Sequence, residues 1–357
     1  MPQRLISATV SVLVSAAVGV AAAQSVSPRT ATPAEPISQI VAAFGTHNVV
    51  TISDPHGNMQ VQAFILSLIR DPRFRDIADD VVLETANARY QDAIDRFVRG
   101  EDVPRAVLRR AWEDHTVVNS FGAQAQELIE AVRAVNTASG KRRLRVLAGD
   151  PPIDWENTTS EASHSRWVEF RDSYPADVVR RQVVERGRRA LVVYGQGHLQ
   201  RRQVASNYDM STWQAQTLVS LLERDTSGRV FNIWTWLDRE VELKEVASWT
   251  VPGLAVLKGT PLGERDFGTY ATGLLGGNRF LVRDGQLVPL PRDQWQRMRM
   301  EEQFDALLYL GPPAKMTFIG MPASLCRDKD FVRERLRRFT LAGPPPELAN
   351  FKKACGL

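Results

Sequence analysis

Four polar residues lie at the ends of short apolar runs in this sequence: His56, Glu84, Asp150 and His198. Two imidazoles and two carboxylates can move protons, because a histidine can act as a base towards water while a carboxylate orients it. The same set could instead hold a divalent metal with an open coordination position. The spacing of the four residues does not decide between these two chemistries.

The neighbours of both histidines favour a functional role. His56 lies in Asp54-Pro55-His56-Gly57-Asn58, where the flanking Pro and Gly predict a tight turn that presents the ring at the end of a strand. The alternative is a histidine that merely caps the next helix. Gly195-Gln196-Gly197-His198-Leu199 repeats this design, and it is not a dinucleotide-binding fingerprint, because Gln200 occupies the third glycine position.

The two carboxylates differ in strength as candidates. Glu84 ends an otherwise apolar strand, and a buried carboxylate is costly unless it is paired, so a functional placement is favoured. A structural salt bridge to Arg89 would also explain it. Asp150 is the weaker candidate, because Gly-Asp-Pro is common in turns.

A second group of candidates would bind or orient a substrate: Asp54, Asn87 and Tyr90. The alternatives are helix-start polarity for Asn87 and core packing for Tyr90. The remaining histidines are interpreted as structural, since none follows a strand: His47, His115 and His164.

Apolar runs that alternate with helical patterns predict an α/β fold, a mainly parallel sheet with flanking helices and a helical excursion between strands 2 and 3. The strands are predicted at about 48–54, 80–84, 144–149, 190–195, 229–235 and 306–310. Parallel strands end at one edge, where such folds bind ligands. The four strand-end residues should therefore line one pocket, with the two imidazoles within about 10 Å of each other.

Helices are predicted from the spacing of apolar residues, at about 59–70, 90–99, 104–114, 122–138, 175–187 and 211–224. The region 250–300 is rich in glycine and shows no clear pattern. It would form either loops over the site or a small subdomain.

The first 23 residues predict export. Arg4 precedes an apolar stretch over 5–20 and the small residues 21–23, which is the pattern of a cleaved secretory signal. The stretch is too short and too polar for the ~20 apolar residues of a membrane span. We therefore expect a periplasmic or secreted protein with a flexible lead-in over 24–40, then a single α/β domain over 41–357 that ends in a C-terminal extension.

The two cysteines, Cys326 and Cys355, predict a disulfide in an exported protein, worth ~3 kcal/mol in the loop-entropy model. The composition, 43% hydrophobic and 24% charged, is that of an ordinary globular protein. Basic clusters at 141–143, 186–189 and 333–338 are interpreted as solvated surface without nucleic-acid binding, because no aromatic platform accompanies them. The expected partner is a small-molecule substrate.

The strand-end motifs resemble a known superfamily. Asp54-Pro55-His56-Gly57-Asn58, Val82-Leu83-Glu84 with Asn87 and Tyr90, Gly149-Asp150-Pro151-Pro152 and Gly195-Gln196-Gly197-His198-Leu199 look like the group of erythromycin esterases, ChaN-like haem-uptake proteins and Tiki/TraB proteins. The resemblance covers about 45–200. It implies that His56 is a base with Glu84 and His198 as partners. Ser53-Asp54 stands where the esterases typically have Gly-Glu, and no lipidation cysteine follows the signal, unlike in ChaN-like proteins.

Two functions of different classes follow from the motifs and the resemblance. The first is an exported hydrolase of an ester or amide, in which His56 activates water, with or without a divalent metal held by His56, His198 and Glu84. The second is a haem- or iron-binding uptake protein without catalysis, for which Tyr90 could serve as an iron ligand. Motifs of other enzymes are missing, among them the Gly-x-Ser-x-Gly elbow, the Walker phosphate loop and the His-Glu-x-x-His metal helix.

Overall fold

A computed structural model describes residues 30–118, 122–139, 143–201, 216–225, 230–237, 242–270, 280–283, 286–289, 297–342 and 345–357. The predicted signal segment lies outside these residues. Nine strands are present in the described part of the chain: β1 Val49–Ser53, β2 Asp80–Asn87, β3 Arg145–Asp150, β4 Ala190–Tyr194, β5 Val230–Thr235, β6 Gly253–Val256, β7 Phe280–Arg283, β8 Gln286–Pro289 and β9 Ala306–Tyr309.

Seven strands form one sheet in the order β3-β2-β4-β1-β5-β9-β6. All neighbours are parallel except β6 and β9, so the α/β class and the mainly parallel sheet are confirmed. All six predicted strands occur in it. The antiparallel edge strand β6 was not predicted, because it has only four residues in the glycine-rich region 250–300. The same region holds the small two-stranded sheet β7-β8.

Helices connect and cover the strands, and the excursion between β2 and β3 holds three of them, α4 to α6. The helices of the described residues are α1 Pro36–Ala43, α2 Met59–Arg70, α3 Pro72–Ile77, α4 Gln91–Val98, α5 Arg105–Glu113, α6 Ala123–Ser139, α7 Glu161–Glu169, α8 Ser173–Gln182, α9 Gln196–Leu199, α10 Leu218–Asp225, α11 Phe267–Tyr270, α12 Met300–Gln303, α13 Ala323–Arg327, α14 Lys329–Ala342 and α15 Pro345–Cys355. Of the helix predicted over 211–224, residues 211–215 fall outside the described residues, and the later part is helical from Leu218 as α10. The helix predicted over 175–187 ends earlier, at Gln182, and a 3₁₀ turn follows it.

The two faces of the sheet bury separate cores. Val50 and Ile52 of β1 pack on one side with α2 and α6, while Val49 packs on the other with α8 and α10. Strands buried on both faces read as continuous apolar runs, which is why the sequence revealed them. The rigid sheet therefore holds the strand ends, and the residues that follow them, in fixed positions.

The folded domain begins before residue 41, the boundary expected from the sequence. The backbone of Ala34 pairs with that of Leu254, and α1 begins at Pro36. Ile40 is fully buried. The predicted lead-in over 24–40 is thus structured from Ala34 onwards, because burial of Ile40 ties α1 to the core.

The C-terminal extension begins after β9 and consists of the segment over 310–322 followed by α13, α14 and α15. Cys326 and Cys355 form the predicted disulfide across it. The sequence predicted that the basic cluster over 333–338 is solvated surface. This is wrong for Arg335 and Arg338, which are buried. Arg338 pairs with Asp114 and Glu334, and Arg335 donates to the backbone carbonyls of Val118 and Glu113.

Within the described residues, no helix combines the length and the apolar character needed to cross a bilayer.

Candidate active site

The strand order places three of the predicted residues side by side. Strand β4 lies between β1 and β2. His56 follows β1, and His198 lies in α9 just beyond β4. Glu84 lies inside β2, which continues three residues past the end predicted from the sequence, to Asn87. The parallel sheet thereby brings together residues that are far apart in the sequence.

Both imidazoles converge on one carboxylate oxygen. Nε2 of His56 and Nε2 of His198 each lie 3.4 Å from Oε1 of Glu84, so the two rings are within the 10 Å expected from the sequence. Arg171 donates to the same Oε1 at 2.5 Å, and the backbone N–H of Gly195 donates to Oε2 at 2.5 Å. Glu84 is 5% exposed, and these donors satisfy it. The alternative partner Arg89 pairs instead with Asp154.

A second carboxylate orients each imidazole. Nδ1 of His56 lies 3.0 Å from Oδ2 of Asp54, and Nδ1 of His198 lies 2.8 Å from Oδ1 of Asp172. A carboxylate at Nδ1 holds the proton on that nitrogen and directs Nε2 to the reacting side. Both rings therefore turn Nε2 towards Glu84.

The charges of the cluster balance when both rings carry a proton, since three carboxylates then face Arg171 and two imidazolium ions. Burial opposes a charge on His56, but Glu84 and Asp54 outweigh it and raise the pKa of His56 well above its usual 6.5. Burial opposes a charge on His198 too, yet Asp172 and Glu84 raise its pKa to about 9. The two imidazoles in turn hold the pKa of Glu84 well below its usual range, although burial acts in the opposite direction.

The pKa of His198 provides a direct check of this electrostatic arrangement. We expect an NMR titration of its ring to give a pKa of about 9. Asp172→Asn should lower that pKa, because it removes the negative charge that most stabilises protonated His198. His47, which contacts the backbone oxygen of Ala43, serves as the internal control. A His198 pKa that does not change in Asp172→Asn would contradict the contact.

The backbone of Gly195 packs closely against this cluster. A Cβ built on it would lie 3.2 Å from Oε2 of Glu84, 3.6 Å from Nε2 of His56 and 3.8 Å from Cδ2 of His198. All three functional side chains thus border the position where a side chain would be. A side chain at residue 195 would therefore crowd Glu84, whereas glycine lets its backbone N–H reach Oε2 of Glu84.

Asp150 lies near the cluster but bonds elsewhere. It is 2% exposed and accepts hydrogen bonds from the backbone N–H and the hydroxyl of Thr116. Burial raises the pKa of Asp150 to about 7, against the effect of these two bonds. The structure therefore does not bring Asp150 into contact with either imidazole.

Asn87 and Tyr90 lie in structural contacts rather than at the imidazoles. Asn87 is fully buried, and its amide donates to the backbone oxygens of Asp114 and Ile153. The hydroxyl of Tyr90 donates to Asp114. Burial and the Asp114 carboxylate raise the pKa of Tyr90 to about 12, which opposes the tyrosinate form that an iron ligand requires.

Sequence reasoning missed two residues of the cluster, Arg171 and Asp172. They lie in the loop between α7 and α8, away from any strand end, and Asp172 reads as the N-cap of α8. Its side chain makes no capping bond to α8, and accepts instead from His198 and from the backbone N–H of Leu218. No signal in the sequence distinguishes this aspartate from an ordinary cap.

The donor set does not fit a resident metal ion. Both imidazoles face Oε1 of Glu84, and the Arg171 cation already binds that oxygen. In the described part of the chain, no group of three or more His, Cys, Asp or Glu side chains is arranged to hold a metal.

A cavity of about 340 Å³ opens beside His56. Thr85 and Gln124 line one side of it, and Ile319, Met321 and Pro322 line another. His56, whose side chain is 37% exposed, is the residue through which the buried cluster meets this space.

No protein-family model and no curated protein matches this sequence. Among solved structures, the chain is similar to an erythromycin esterase mutant in its open conformation, with a TM-score of 0.51 and 11% identity over 80% of this chain and 94% of that one. It is also similar to a succinoglycan biosynthesis protein, with a TM-score of 0.48 and 11% identity over 79% of this chain and 94% of that one. For ChaN of Campylobacter jejuni, which binds haem cofacially, the TM-score is 0.32 with 11% identity over 58% and 88%.

At 11% identity the first likeness establishes a shared fold. The other two TM-scores are too low to support an argument. The fold that the resemblance of the strand-end motifs implies is therefore confirmed.

Proposed function

We propose that this protein is a hydrolase of an ester or amide bond, with His56 as the general base. One observation carries the proposal: His56 and His198 share Oε1 of Glu84 at 3.4 Å, while His56 also borders an open cavity. Two imidazoles with a common carboxylate form an acid–base pair. The fold shared with an erythromycin esterase agrees with this class of reaction.

The first step is the activation of water. Neutral His56 takes a proton from a water molecule through Nε2, while Asp54 holds Nδ1–H and Glu84 stabilises the imidazolium that forms. The hydroxide attacks the carbonyl carbon and gives a tetrahedral intermediate. The cavity that His56 borders is where this water would lie.

The second step is the release of the leaving group. The carbon–oxygen or carbon–nitrogen bond breaks, and protonated His198 supplies the proton that the departing alcohol or amine needs. Asp172 keeps His198 protonated at neutral pH. Water and one ester or amide thus become an acid and an alcohol or amine, and the proton held by His56 restores His198.

The pH dependence of hydrolysis tests the proposal. The base form of His56 is the deprotonated one, and its pKa is raised well above 6.5. We therefore expect kcat/KM for a neutral ester such as p-nitrophenyl hexanoate to rise with pH, with a midpoint above 6.5. A rate that falls as the pH rises from 6 to 8 would contradict a histidine base.

The haem-binding alternative finds no support at Tyr90, because its hydroxyl is bonded to Asp114. Export remains a prediction that rests on residues 1–23, and the disulfide between Cys326 and Cys355 agrees with an oxidising compartment.

A further inference from the structure

The C-terminal extension forms part of the cavity beside the candidate base. The backbone N–H of Ile319 donates to the carbonyl of Gly57 at 2.7 Å, and that of Met59 donates to Thr317 at 3.0 Å. The segment over 317–322 therefore runs along the turn that presents His56. This turn leaves little room for change, because Gly57 has φ +87° and a Cβ on it would lie 3.4 Å from the oxygen of Ile319.

The opposite wall comes from the helical excursion between β2 and β3. The side-chain oxygen of Gln124 in α6 accepts the N–H of Gly57 at 2.6 Å. The turn at His56 is thus held from both sides, by α6 and by the C-terminal segment. The cavity lies between these two walls.

The lining of the cavity is uncharged apart from His56. Its apolar side consists of Ile319, Met321 and Pro322, and its polar side chains, Thr85 and Gln124, are neutral. A charged group buried here would meet no described lining residue that carries a charge except His56, whose charge Asp54 and Glu84 already balance, and this makes its transfer from water costly. A neutral amide or ester can instead use Thr85 and Gln124 as hydrogen-bonding partners.

We propose that the site binds a small, uncharged molecule whose apolar arm lies against Ile319, Met321 and Pro322 while its polar group faces His56. The assignment of that polar group as the scissile bond rests on the proposed function. The volume of about 340 Å³ is at the small end of ligand pockets. The C-terminal extension thereby determines specificity in a domain whose reacting groups all come from the first 200 residues.

An anionic ligand is the sharpest rival, because the first turn of α6 borders the cavity and favours negative charge. That attraction is weak compared with the cost of burying an unpaired carboxylate. The ligand's charge is therefore the property to vary.

The test compares three six-carbon probes that differ in charge: hexanamide, hexanoate and hexylammonium. Their binding is measured by saturation-transfer NMR on full-length His56→Gln, which removes the one ionisable lining group and blocks turnover. We expect hexanamide to bind at least tenfold more tightly than either ion. Equal or tighter binding of hexanoate or hexylammonium would overturn the proposal.

Two variants in the His56→Gln background locate the binding site. Met321→Lys should weaken hexanamide binding at least tenfold and improve hexanoate binding, and Ile319→Lys provides a second variant if Met321→Lys fails to fold by circular dichroism. Val107→Lys, at an exposed apolar position on α5, is the matched control and should change nothing. If the cavity variants behave like Val107→Lys, the ligand binds elsewhere and the proposal is wrong.

Binding and hydrolysis can fail separately. Selective hexanamide binding without any ester hydrolysis by the wild type would leave this inference standing and remove the proposed hydrolase. Hydrolysis without a preference for neutral ligands would do the reverse.

Discussion

Replacing His56 with glutamine should lower kcat/KM for a neutral ester by about 10²- to 10⁴-fold, the usual contribution of a general base. Glutamine keeps a polar side chain of similar reach in the turn, but it cannot accept and return a proton. Of the two imidazoles of the cluster, His56 lines the cavity and His198 does not, so His198 is not placed to take over as the base. The measurement is the initial rate with p-nitrophenyl hexanoate.

His47→Gln is the matched control, because His47 lies two residues before β1, at the opposite end of the strand from His56. Its ring forms hydrogen bonds with Thr46 and the backbone oxygen of Ala43. It should retain the wild-type rate. The base assignment fails if His56→Gln, folded by circular dichroism, keeps more than a tenth of the wild-type kcat/KM.

Replacing Glu84 with glutamine should have the largest effect on stability. The change removes the carboxylate that Arg171 and the two protonated imidazoles share. Removing one partner of a buried ion pair lowers the free energy of unfolding by about 3 kcal/mol or more, because the remaining charge stays buried without a partner. We expect this loss in the free energy of unfolding by urea at pH 6. Glu156→Gln, whose side chain is 71% exposed, is the control and should change stability by less than about 1 kcal/mol.

The destabilisation by Glu84→Gln should depend on pH. The pKa of Glu84 is lowered in the folded protein, so its contribution is present above its ordinary value of 4.5 and is lost as the pH falls through the lowered pKa. The pKa values of both histidines are raised, so their contribution is complete below 6.5 and is lost as the pH rises, for His198 through about 9. The difference between wild type and variant should therefore be largest between pH 4.5 and 6.5. A difference that is the same at pH 6 and pH 10 would argue against these contacts.

The pH dependence of hydrolysis by Glu84→Gln distinguishes an electrostatic role of Glu84 from a purely structural one. Without the carboxylate, the pKa of His56 should fall, because the charge of Glu84 raises this pKa more than any other contact does. Any residual hydrolysis should then reach its midpoint at lower pH than in the wild type. A purely structural role for Glu84 would leave the midpoint unchanged.

The sequence by itself determined the sheet and the residues at its edge. Strands such as β1 and β4 are buried on both faces, so their apolar runs are continuous and easy to recognise. The parallel geometry then requires their ends to meet, which is why His56, Glu84, Asp150 and His198 could be grouped from the sequence, although Asp150 bonds to Thr116 instead of an imidazole. The disulfide was also predictable, because the sequence contains only two cysteines and its first 23 residues predict export.

Only the tertiary structure decided which groups complete the site. Arg171 and Asp172 lie in a loop with no periodic pattern, and they reach Glu84 and His198 because α7 and α8 pack that loop over the sheet edge. The same holds for Ile319 and Met321, which lie more than 260 residues from His56 along the chain. Backbone hydrogen bonds of Thr317 and Ile319 to the turn at His56 hold their segment there. Local patterns record burial and turns, whereas contacts between distant loops depend on how whole elements pack, and this is why the reacting residues were visible in the sequence while their partners and the cavity wall were not.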